Sequence, residues 1–129
     1  MAPDETPAGR RNAGEGAAPR RSRNRAKAKG TRFETAFVRW LQDNGFPHAE
    51  RRALRGTRDA GDISGVAGWA IELKNCEALR PSFVDEAERE AGNAGVPLFA
   101  AVMKRRGKSD PGEALVVMPA RIWLEWVKL

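Results

Sequence analysis

The sequence has very little cysteine and histidine, and this scarcity excludes several kinds of site. Its 129 residues include one cysteine, Cys76, and one histidine, His48. A single cysteine cannot form a disulfide within the chain, and one residue of each type is too few for a Cys/His zinc site. We therefore expect a reducing, cytoplasmic setting for this protein.

Long apolar runs are also missing. No stretch reaches the roughly 20 apolar residues that a membrane-spanning helix needs. The arginines near the N-terminus are not followed by the apolar segment of a signal peptide. The sequence thus predicts neither membrane insertion nor secretion.

Positive charge is present in excess, but it is unevenly distributed. The net charge is +6 and the pI about 10.2, which indicates a polyanionic partner. Residues 1–30 hold eight of the 23 basic residues and three of the 17 acidic ones. They are rich in Ala, Gly, Pro and Arg without apolar periodicity, so we predict a disordered basic tail before one folded domain over residues 31–129. The tail is either a DNA-binding arm or a solubilising extension.

The rest of the chain is organised around two short segments that predict a β-hairpin. Residues 62–64 and the strand-like WAIELK of residues 69–74 are joined by Gly65-Val66-Ala67-Gly68, whose glycines suit a tight reversal. On the second strand Trp69, Ile71 and Leu73 share a core face, while Glu72 and Lys74 point to the other face. Burying these charges is costly unless they are paired or bind a ligand, so they indicate a site.

Asp62 lies on the first strand of this hairpin, where its carboxylate can converge on that of Glu72. Two converging carboxylates repel each other unless a hard divalent cation lies between them. An ammonium group such as that of Lys74 beside the cation can hold a phosphate oxygen or a water. Asp59 is an alternative to Asp62, but it lies in a loop without apolar neighbours, so we favour Asp62.

Asp62 followed by Glu72-Leu73-Lys74 resembles the Asp…(Asp/Glu)-x-Lys signature of the PD-(D/E)XK nuclease superfamily, with Gly61 in place of the frequent proline. Together with Glu34 upstream, the pattern from Thr31 to Pro119 resembles the Holliday junction resolvases of archaea and phages. This resemblance implies a restriction-endonuclease-like core and a Mg²⁺ site, in which Mn²⁺ can substitute, held by Asp62, Glu72, the Leu73 carbonyl and Glu34. It also implies 5′-phosphate products and a two-fold homodimer.

Glu34 has two interpretations. Apolar residues recur at helical spacing between Phe33 and Leu41 and predict a helix that begins at Thr31 and ends at Gly45. In this position the Glu34 carboxylate can accept a hydrogen bond from the Thr31 N–H, as in a capping box. The resemblance implies instead that Glu34 lies beside the metal, which we favour.

Two groups of basic residues adjoin the predicted site. The first begins within a short strand predicted at residues 49–54 and continues after it, and the second lies in a loop between two later strands: Arg52, Arg55 and Arg58, then Lys104, Arg105, Arg106 and Lys108. Guanidinium groups bind phosphates in bidentate fashion, so we predict that both groups contact the DNA backbone. The alternative for each is an ordinary solvated strand end or loop.

The remaining elements complete an α/β or α+β domain with a central mixed β-sheet flanked by helices. Residues 81–91 predict a helix with a solvated acidic face formed by Asp85, Glu86, Glu88 and Glu90. Residues 96–103 predict a strand buried on both faces, residues 113–118 a last strand, and residues 119–129 a closing helix. The closing helix carries Ile122, Trp123, Trp126 and Val127, which we expect in the core, with a dimer surface as the alternative.

These observations lead us to expect a Mg²⁺-dependent DNA endonuclease that resolves four-way (Holliday) junctions in DNA recombination, in the host cytoplasm if a phage encodes it. The catalytic residues are then Asp62, Glu72, Lys74 and Glu34. The expected partners are branched DNA and a second copy of the chain, without a small-molecule cofactor. The alternatives are a duplex-nicking or restriction-type endonuclease of the same fold and a non-catalytic DNA-binding protein.

Overall fold

The structure is a computed structural model that describes residues 20–52 and 60–129, and for residues 20–28 the backbone alone. Its elements follow one another in this order: α1 (Arg20–Asp43), β1 (Glu50–Arg51), β2 (Ile63–Ser64), β3 (Trp69–Lys74), α2 (Pro81–Ala94), β4 (Leu98–Met103), a 3₁₀ turn (Pro111–Glu113), β5 (Leu115–Val117) and α3 (Ala120–Val127). The domain therefore belongs to the mixed α+β class, as the sequence predicts. Residues 1–19, Arg55, Arg58 and Asp59 lie outside the described residues.

Helix α1 begins at Arg20, well before the predicted start at Thr31. The Thr31 amide therefore lies inside the helix, where it has a backbone acceptor one turn earlier, and the capping-box interpretation of Glu34 is wrong. Arg20–Gly30 belongs to the same helix, so the predicted disordered tail is wrong for these residues. Arginine, lysine and alanine have high helix propensity, so a helix anchored by its apolar second half extends through this segment.

The described strands form two sheets, which differs from the single central sheet that we predicted. The larger sheet is mixed, with strand order β3-β4-β5. Strands β3 and β4 are parallel with Glu72 opposite Ala101, and α2 is the crossover between them. Strand β5 is antiparallel to β4, while β1 and β2 form a short antiparallel pair.

The chain reverses between β2 and β3 at the predicted glycines. Gly65 and Gly68 have φ of +91° and +87°, in the left-handed region that favours glycine. A Cβ atom on Gly65 would overlap the carbonyl oxygen of His48, so the turn also requires close backbone approach. The predicted reversal is confirmed, but the predicted pairing of the two segments as a β-hairpin is wrong, because β2 pairs with β1 and β3 pairs with β4. The chain approaches β3 mainly through Asp62, whose N–H donates to the Ile71 carbonyl over 2.9 Å.

Two apolar clusters cover the two faces of the larger sheet. On one face α1 packs against β3 and β4 through a cluster that includes Phe37, Leu41, Ile71, Leu73 and Val102. On the other face α2 and α3 pack through Ala70, Ala87, Ala91, Leu98, Phe99 and Ile122. The small side chains Ala70 and Ala87 are fully buried and let α2 approach the sheet closely. Strand β3 is consequently buried on both sides, which makes a charged residue on it costly.

Two predictions about surface and core are wrong. Glu90 of α2 is only 3% exposed, and Glu86 is half-buried, so the acidic residues of α2 do not all lie on a solvated face. In α3 only Ile122 is buried, whereas Trp123, Trp126 and Val127 are each about half exposed. Both differences follow from the packing of helices on a sheet of few strands, which covers one side of each helix.

Among the described residues, no helix combines the length and the apolar character that crossing a membrane requires.

Candidate active site

Asp62 lies directly before β2, where the chain approaches β3. Its carboxylate accepts a hydrogen bond from β3 that a backbone carbonyl of a neighbouring strand would otherwise accept. The Leu73 N–H donates to Asp62 Oδ2 over 2.7 Å, and the backbone of Asp62 itself bonds to Ile71 and Arg52. These bonds hold the Asp62 carboxylate beside the peptide that links Glu72 to Leu73. The N–H and C=O of one strand residue lie on the same side of the strand, so the Leu73 carbonyl also faces Asp62.

Gly61 precedes this aspartate in a conformation that proline cannot adopt. Its φ is +106°, and a Cβ atom there would lie 3.3 Å from both the N and the O of Ile71. Proline requires φ near −65°. Glycine at position 61 therefore lets the chain pass close to β3 and bring Asp62 into register.

Glu72 and Lys74 share one face of β3, as predicted, and form an ion pair of 3.1 Å between Lys74 Nζ and Glu72 Oε2. Glu72 is only 7% exposed. Its second oxygen, Oε1, is buried and has no hydrogen-bond partner within residues 29–52 and 60–129. A buried carboxylate oxygen of this kind leaves room in the site for a cation or a proton.

Helix α2 contributes two residues that we did not predict. Glu86 forms an ion pair of 3.0 Å with Lys74 Nζ, and carboxylate oxygens of Glu72, Glu86 and Glu90 lie within 4.8 Å of one another. The α2 sequence contains a signal for this placement. Glu86 and Glu90 stand one residue before the buried Ala87 and Ala91, so they border the apolar stripe that faces the sheet.

The pKa of Glu72 reflects the balance of these neighbours. Burial raises the pKa of its carboxyl from 4.5 to about 7; the nearby Glu90 side chain opposes this shift, and the negative charge of Asp62 reinforces it. The ion pair with Lys74 also favours the charged form, but it does not outweigh burial. Near neutral pH Glu72 is therefore divided between its protonated and its charged form.

Lys74 is positively charged at neutral pH. Burial alone would lower the pKa of its amine, but the contacts with Glu86 and Glu72 raise it above the usual value. The ammonium also lies 4.9 Å from the centre of the Phe83 ring, which favours a cation. Lys74 can therefore donate hydrogen bonds and offset negative charge, and it is not a general base.

Glu34 is half-buried on α1 and pairs with Arg51 over 2.9 Å. The acidic cluster found among the described residues consists of Glu72, Glu86 and Glu90 and includes neither Glu34 nor Asp62. The described contacts join Lys74 to Glu72, bind the Asp62 carboxylate to the neighbouring Leu73 N–H, and give Glu34 a separate partner. Its role as a ligand stays a prediction.

The predicted basic loop begins directly beside the end of β3, because the Lys104 N–H donates to the Lys74 carbonyl over 3.0 Å. Two of its cations are paired: Arg105 with Glu113 and Arg106 with Glu77. Two open clefts of about 280 Å³ each border this loop, and both are lined by Lys29 and Lys104. Lys29 and Arg32 of α1 are thus cations near the site that we did not predict, since we placed residue 29 in a tail.

Of the four other residues predicted to bind DNA, the structure describes two. Arg52 is exposed next to β1, and Lys108 is exposed in the loop after β4. Arg55 and Arg58 belong to residues 53–59, outside the described part of the chain, so their contacts stay predictions.

The donor set fits a hard divalent cation. All side chains that could act as ligands are carboxylates, and oxygen ligands suit Mg²⁺ or Mn²⁺ better than softer metals. Glu72 Oε1 is buried without a partner among the described residues, and burial raises the pKa of this carboxyl, so a cation bound there would favour the charged form. The chemistry of the site is therefore compatible with a bound cation.

Comparison of the chain with protein-family models, with curated proteins and with solved structures finds no match in any of the three.

Proposed function

We propose that this protein is a Mg²⁺-dependent DNA endonuclease with the PD-(D/E)XK arrangement and a restriction-endonuclease-like core, and that four-way junctions are its substrate. One observation carries the proposal: the Asp62 carboxylate bonds to the N–H of Leu73, directly after Glu72, while Lys74 pairs with Glu72, so the three signature residues border one segment of β3. The element order also fits, because a helix and three short strands precede a helical crossover to a parallel strand.

The cation would be held by Asp62, Glu72 and the Leu73 carbonyl. When bound, Mg²⁺ supplies Lewis acidity that polarises the scissile phosphate and lowers the pKa of a coordinated water. The chain prepares this position by burying Glu72 and fixing Asp62 with a backbone hydrogen bond. A carboxylate fixed in this way needs no reorganisation when its ligand arrives.

Lys74 would act on the substrate as a charged donor. Its ammonium is fixed between Glu72 and Glu86 and stays protonated because these carboxylates raise its pKa. A cation near the phosphate stabilises the extra negative charge of the pentacoordinate transition state. The sequence suggests two roles for Lys74, offsetting charge and orienting a water. Both roles need the protonated amine.

The DNA backbone would lie along the clefts between α1 and the loop after β4. Lys29, Arg32 and Lys104 line these clefts, and among the described residues none of the three pairs with a carboxylate. Their charge is therefore available to phosphates. Because Lys104 follows the strand that pairs with the end of β3, phosphates bound there would be adjacent to Lys74.

The test is a cleavage assay with Mg²⁺ on a synthetic four-way junction and on linear duplex of the same sequence. Wild type is compared with Asp62→Asn, which keeps the shape of the side chain but removes its charge. The matched control is Asp85→Asn, the same exchange at an exposed position of α2. We expect paired nicks on the junction alone, lost in Asp62→Asn and retained in Asp85→Asn.

Other outcomes separate the alternatives. Equal cutting of junction and duplex would keep the nuclease and discard junction specificity, leaving a nicking or restriction-type enzyme. Tight DNA binding without cutting in Mg²⁺ or Mn²⁺ would favour the non-catalytic DNA-binding protein. Undiminished cutting by Asp62→Asn would remove Asp62 from the mechanism.

A further inference from the structure

The excess positive charge of the chain is concentrated in the first half of α1, residues 20–30. This segment has the sequence RRSRNRAKAKG and holds six of the 23 basic residues and no acidic one. Residues 1–19, which precede it, hold two basic and three acidic residues. The charge that indicates a polyanionic partner is therefore carried by a helix and not by the segment before it.

This arrangement of charge is unfavourable for a helix on its own. Arg21, Arg25 and Lys29 are spaced four residues apart, as are Arg23 and Lys27, and like charges at this spacing destabilise a helix. Cations near the N-terminus also meet the positive end of the helix dipole, and the first turn of α1 has no acidic residue. An anionic partner bound along this segment would relieve both costs.

The helical register sets small residues along one line of the segment. Ser22, Ala26 and Gly30 are spaced four residues apart, so they share one side of the helix. Farther along α1 the same side carries Phe33 and Phe37, which belong to the core cluster beneath the helix. The side of α1 that packs on the sheet thus continues toward the N-terminus as a line of small residues.

Cations are placed on both sides of this line. Consecutive residues of a helix are about 100° apart around its axis. Ala26 stands between Arg25 and Lys27, and Ser22 likewise has an arginine before and after it. A helix that binds a single phosphate strand needs cations on one side only, whereas this pattern fits a groove with phosphates along both walls.

The major groove of B-form DNA has this shape. It is about 12 Å wide, and an α-helix with its side chains measures about 10–12 Å across. Small residues allow close approach to the base edges, while cations on either side reach the phosphates of both strands. The major groove of A-form RNA is too narrow for a helix. A membrane surface requires an apolar side, and the largest apolar side chain of residues 20–30 is alanine.

The segment leads directly to the candidate active site. Lys29, near its end, lines both clefts together with Lys104, and the Lys29 carbonyl accepts a hydrogen bond of 3.2 Å from Asn75 Nδ2. Asn75 is the residue after Lys74, at the end of β3. A duplex bound along residues 20–30 would therefore continue into the clefts and bring its phosphates near Lys74.

We propose that residues 20–30 bind in the major groove of the duplex that flanks the cleavage site, with Ser22, Ala26 and Gly30 toward the base edges. The inference rests on the proposed function, because it takes DNA as the partner, and it adds the element and the groove by which duplex DNA is held. Among the described residues, no atom lies within 4 Å of a Cβ added to Gly30. Glycine weakens a helix interior, so close approach of a partner accounts for it better than packing within the protein.

The test is binding of the full chain to a linear duplex, measured by fluorescence anisotropy in EDTA so that no DNA is cut. Ala26→Leu puts a larger side chain on the small line without changing the charge, and leucine also has high helix propensity. We expect its dissociation constant to rise about 10-fold or more, because a helix held out of the groove loses phosphate contacts on both walls. Ala28→Leu, the same exchange on the opposite side of the helix, is the matched control and should bind like wild type.

A second measurement needs no substitution. Dimethyl sulfate methylates the N7 atom of guanine, which lies in the major groove, so guanines of a duplex saturated with wild type should be protected. Equal dissociation constants of Ala26→Leu and Ala28→Leu would contradict the proposal, and so would guanines that stay fully reactive in the complex. Circular dichroism shows whether both variants keep their helix content. Because binding is measured without a divalent cation, a failure here leaves the cleavage assay as a separate test of the nuclease.

Discussion

Lys74 is held by two carboxylates from different elements, and one of them, Glu86, has no counterpart in the sequence signature. The ion pairs of 3.1 Å to Glu72 and 3.0 Å to Glu86 fix its ammonium at the end of β3. Glu72 belongs to the same strand as Lys74, whereas Glu86 comes from the helix that covers it. We therefore assign Glu86 a positioning role, acting on the substrate through Lys74.

Glu86→Gln should slow cleavage about 10-fold and leave DNA binding unchanged, while Lys74→Ala should slow it by roughly 10²–10³. Because Glu86 raises the pKa of Lys74, its loss should also shift the alkaline limb of the pH–rate profile to lower pH. A merely structural change would not move this limb. Glu88→Gln is the control, since Glu88 is exposed and pairs with Arg121. An unshifted profile in Glu86→Gln would contradict the positioning role.

Glu72 should make the stability of the fold depend on pH. Burial raises its pKa from 4.5 to about 7 in the folded protein, so folding favours the protonated form. The resulting stabilisation is complete below pH 4.5 and is lost as the pH rises through 7, by an amount on the order of 3 kcal/mol. Urea unfolding of wild type and Glu72→Gln at pH 5 and pH 8 measures this difference.

In Glu72→Gln the loss of stability between these two pH values should be smaller, because the titrating group is gone. Equal losses in both proteins would mean that Glu72 titrates near its usual pKa. Adding Mg²⁺ should stabilise wild type more at pH 8 than at pH 5, since the cation binds the charged carboxylate.

At the residue scale the sequence predicts Asp62, Glu72 and Lys74 but misses the contribution of α2. The strand alternation and the signature spacing place Glu72 and Lys74 on one face, and their ion pair confirms this. An acidic run on a helix predicts a solvated face, and this prediction is wrong for Glu86 and Glu90. Their position beside Ala87 and Ala91 indicates that they face the sheet. This can be recognised only when the strand that α2 covers is known to carry charged side chains.

At the scale of elements, the turn between β2 and β3 decides how Asp62 reaches β3. Gly65 has φ of +91° and passes so close to His48 that a side chain would overlap its carbonyl oxygen. The sequence predicts this reversal from its glycines. It does not predict that β2 pairs with β1, because β2 is only two residues long. In addition, the Leu73 N–H donates its hydrogen bond to Asp62 Oδ2, whereas in a paired strand it would donate to a backbone carbonyl.

Gly65→Ala should destabilise the protein by about 3 kcal/mol, because it combines backbone strain with a steric overlap. Gly92→Ala is the matched control. Gly92 lies in α2 with nothing within 4 Å of an added Cβ, so alanine there should stabilise by up to about 1 kcal/mol. Urea unfolding of both variants measures the two changes. A neutral Gly65→Ala would mean that the turn can relax away from His48.

The first half of α1 is the element that the sequence describes least well. Its composition of Arg, Ala, Lys and Asn lacks the apolar periodicity on which helix prediction depends, so the predicted start fell at Thr31. The helix nevertheless begins at Arg20. Asn75 Nδ2 donates to the Lys29 carbonyl over 3.2 Å, a contact between distant parts of the chain that no local pattern reveals.

At the scale of the whole molecule, the basic charge and the apolar surface are separated. Lys29, Arg32 and Lys104 gather near the ends of β3 and β4, while most of the large exposed apolar side chains belong to α3 and β5. The total charge of +6 predicts a polyanionic partner but not where it binds. That location depends on which cations are already neutralised by carboxylates, which only the folded arrangement determines.

Removing the unpaired cations should therefore weaken DNA binding in a salt-dependent way. Each Lys or Arg that contacts a phosphate releases counterions, so each of Lys29→Gln, Arg32→Gln and Lys104→Gln should reduce the slope of log K against log salt concentration by roughly 0.9. Binding isotherms on junction DNA at several salt concentrations measure the slope. Arg106→Gln should change it less, because its guanidinium already pairs with Glu77.

Lys128→Gln is the control for a change in net charge alone, since Lys128 lies after α3 and pairs with Glu125. Its slope should equal that of wild type, because long-range charge is screened beyond about 10 Å at ordinary ionic strength. If Lys128→Gln and Lys104→Gln reduce the slope equally, binding depends on total charge and not on the clefts beside Lys74. A reduced slope in the three cleft variants alone would instead locate the phosphates there, next to the carboxylates proposed to hold the cation.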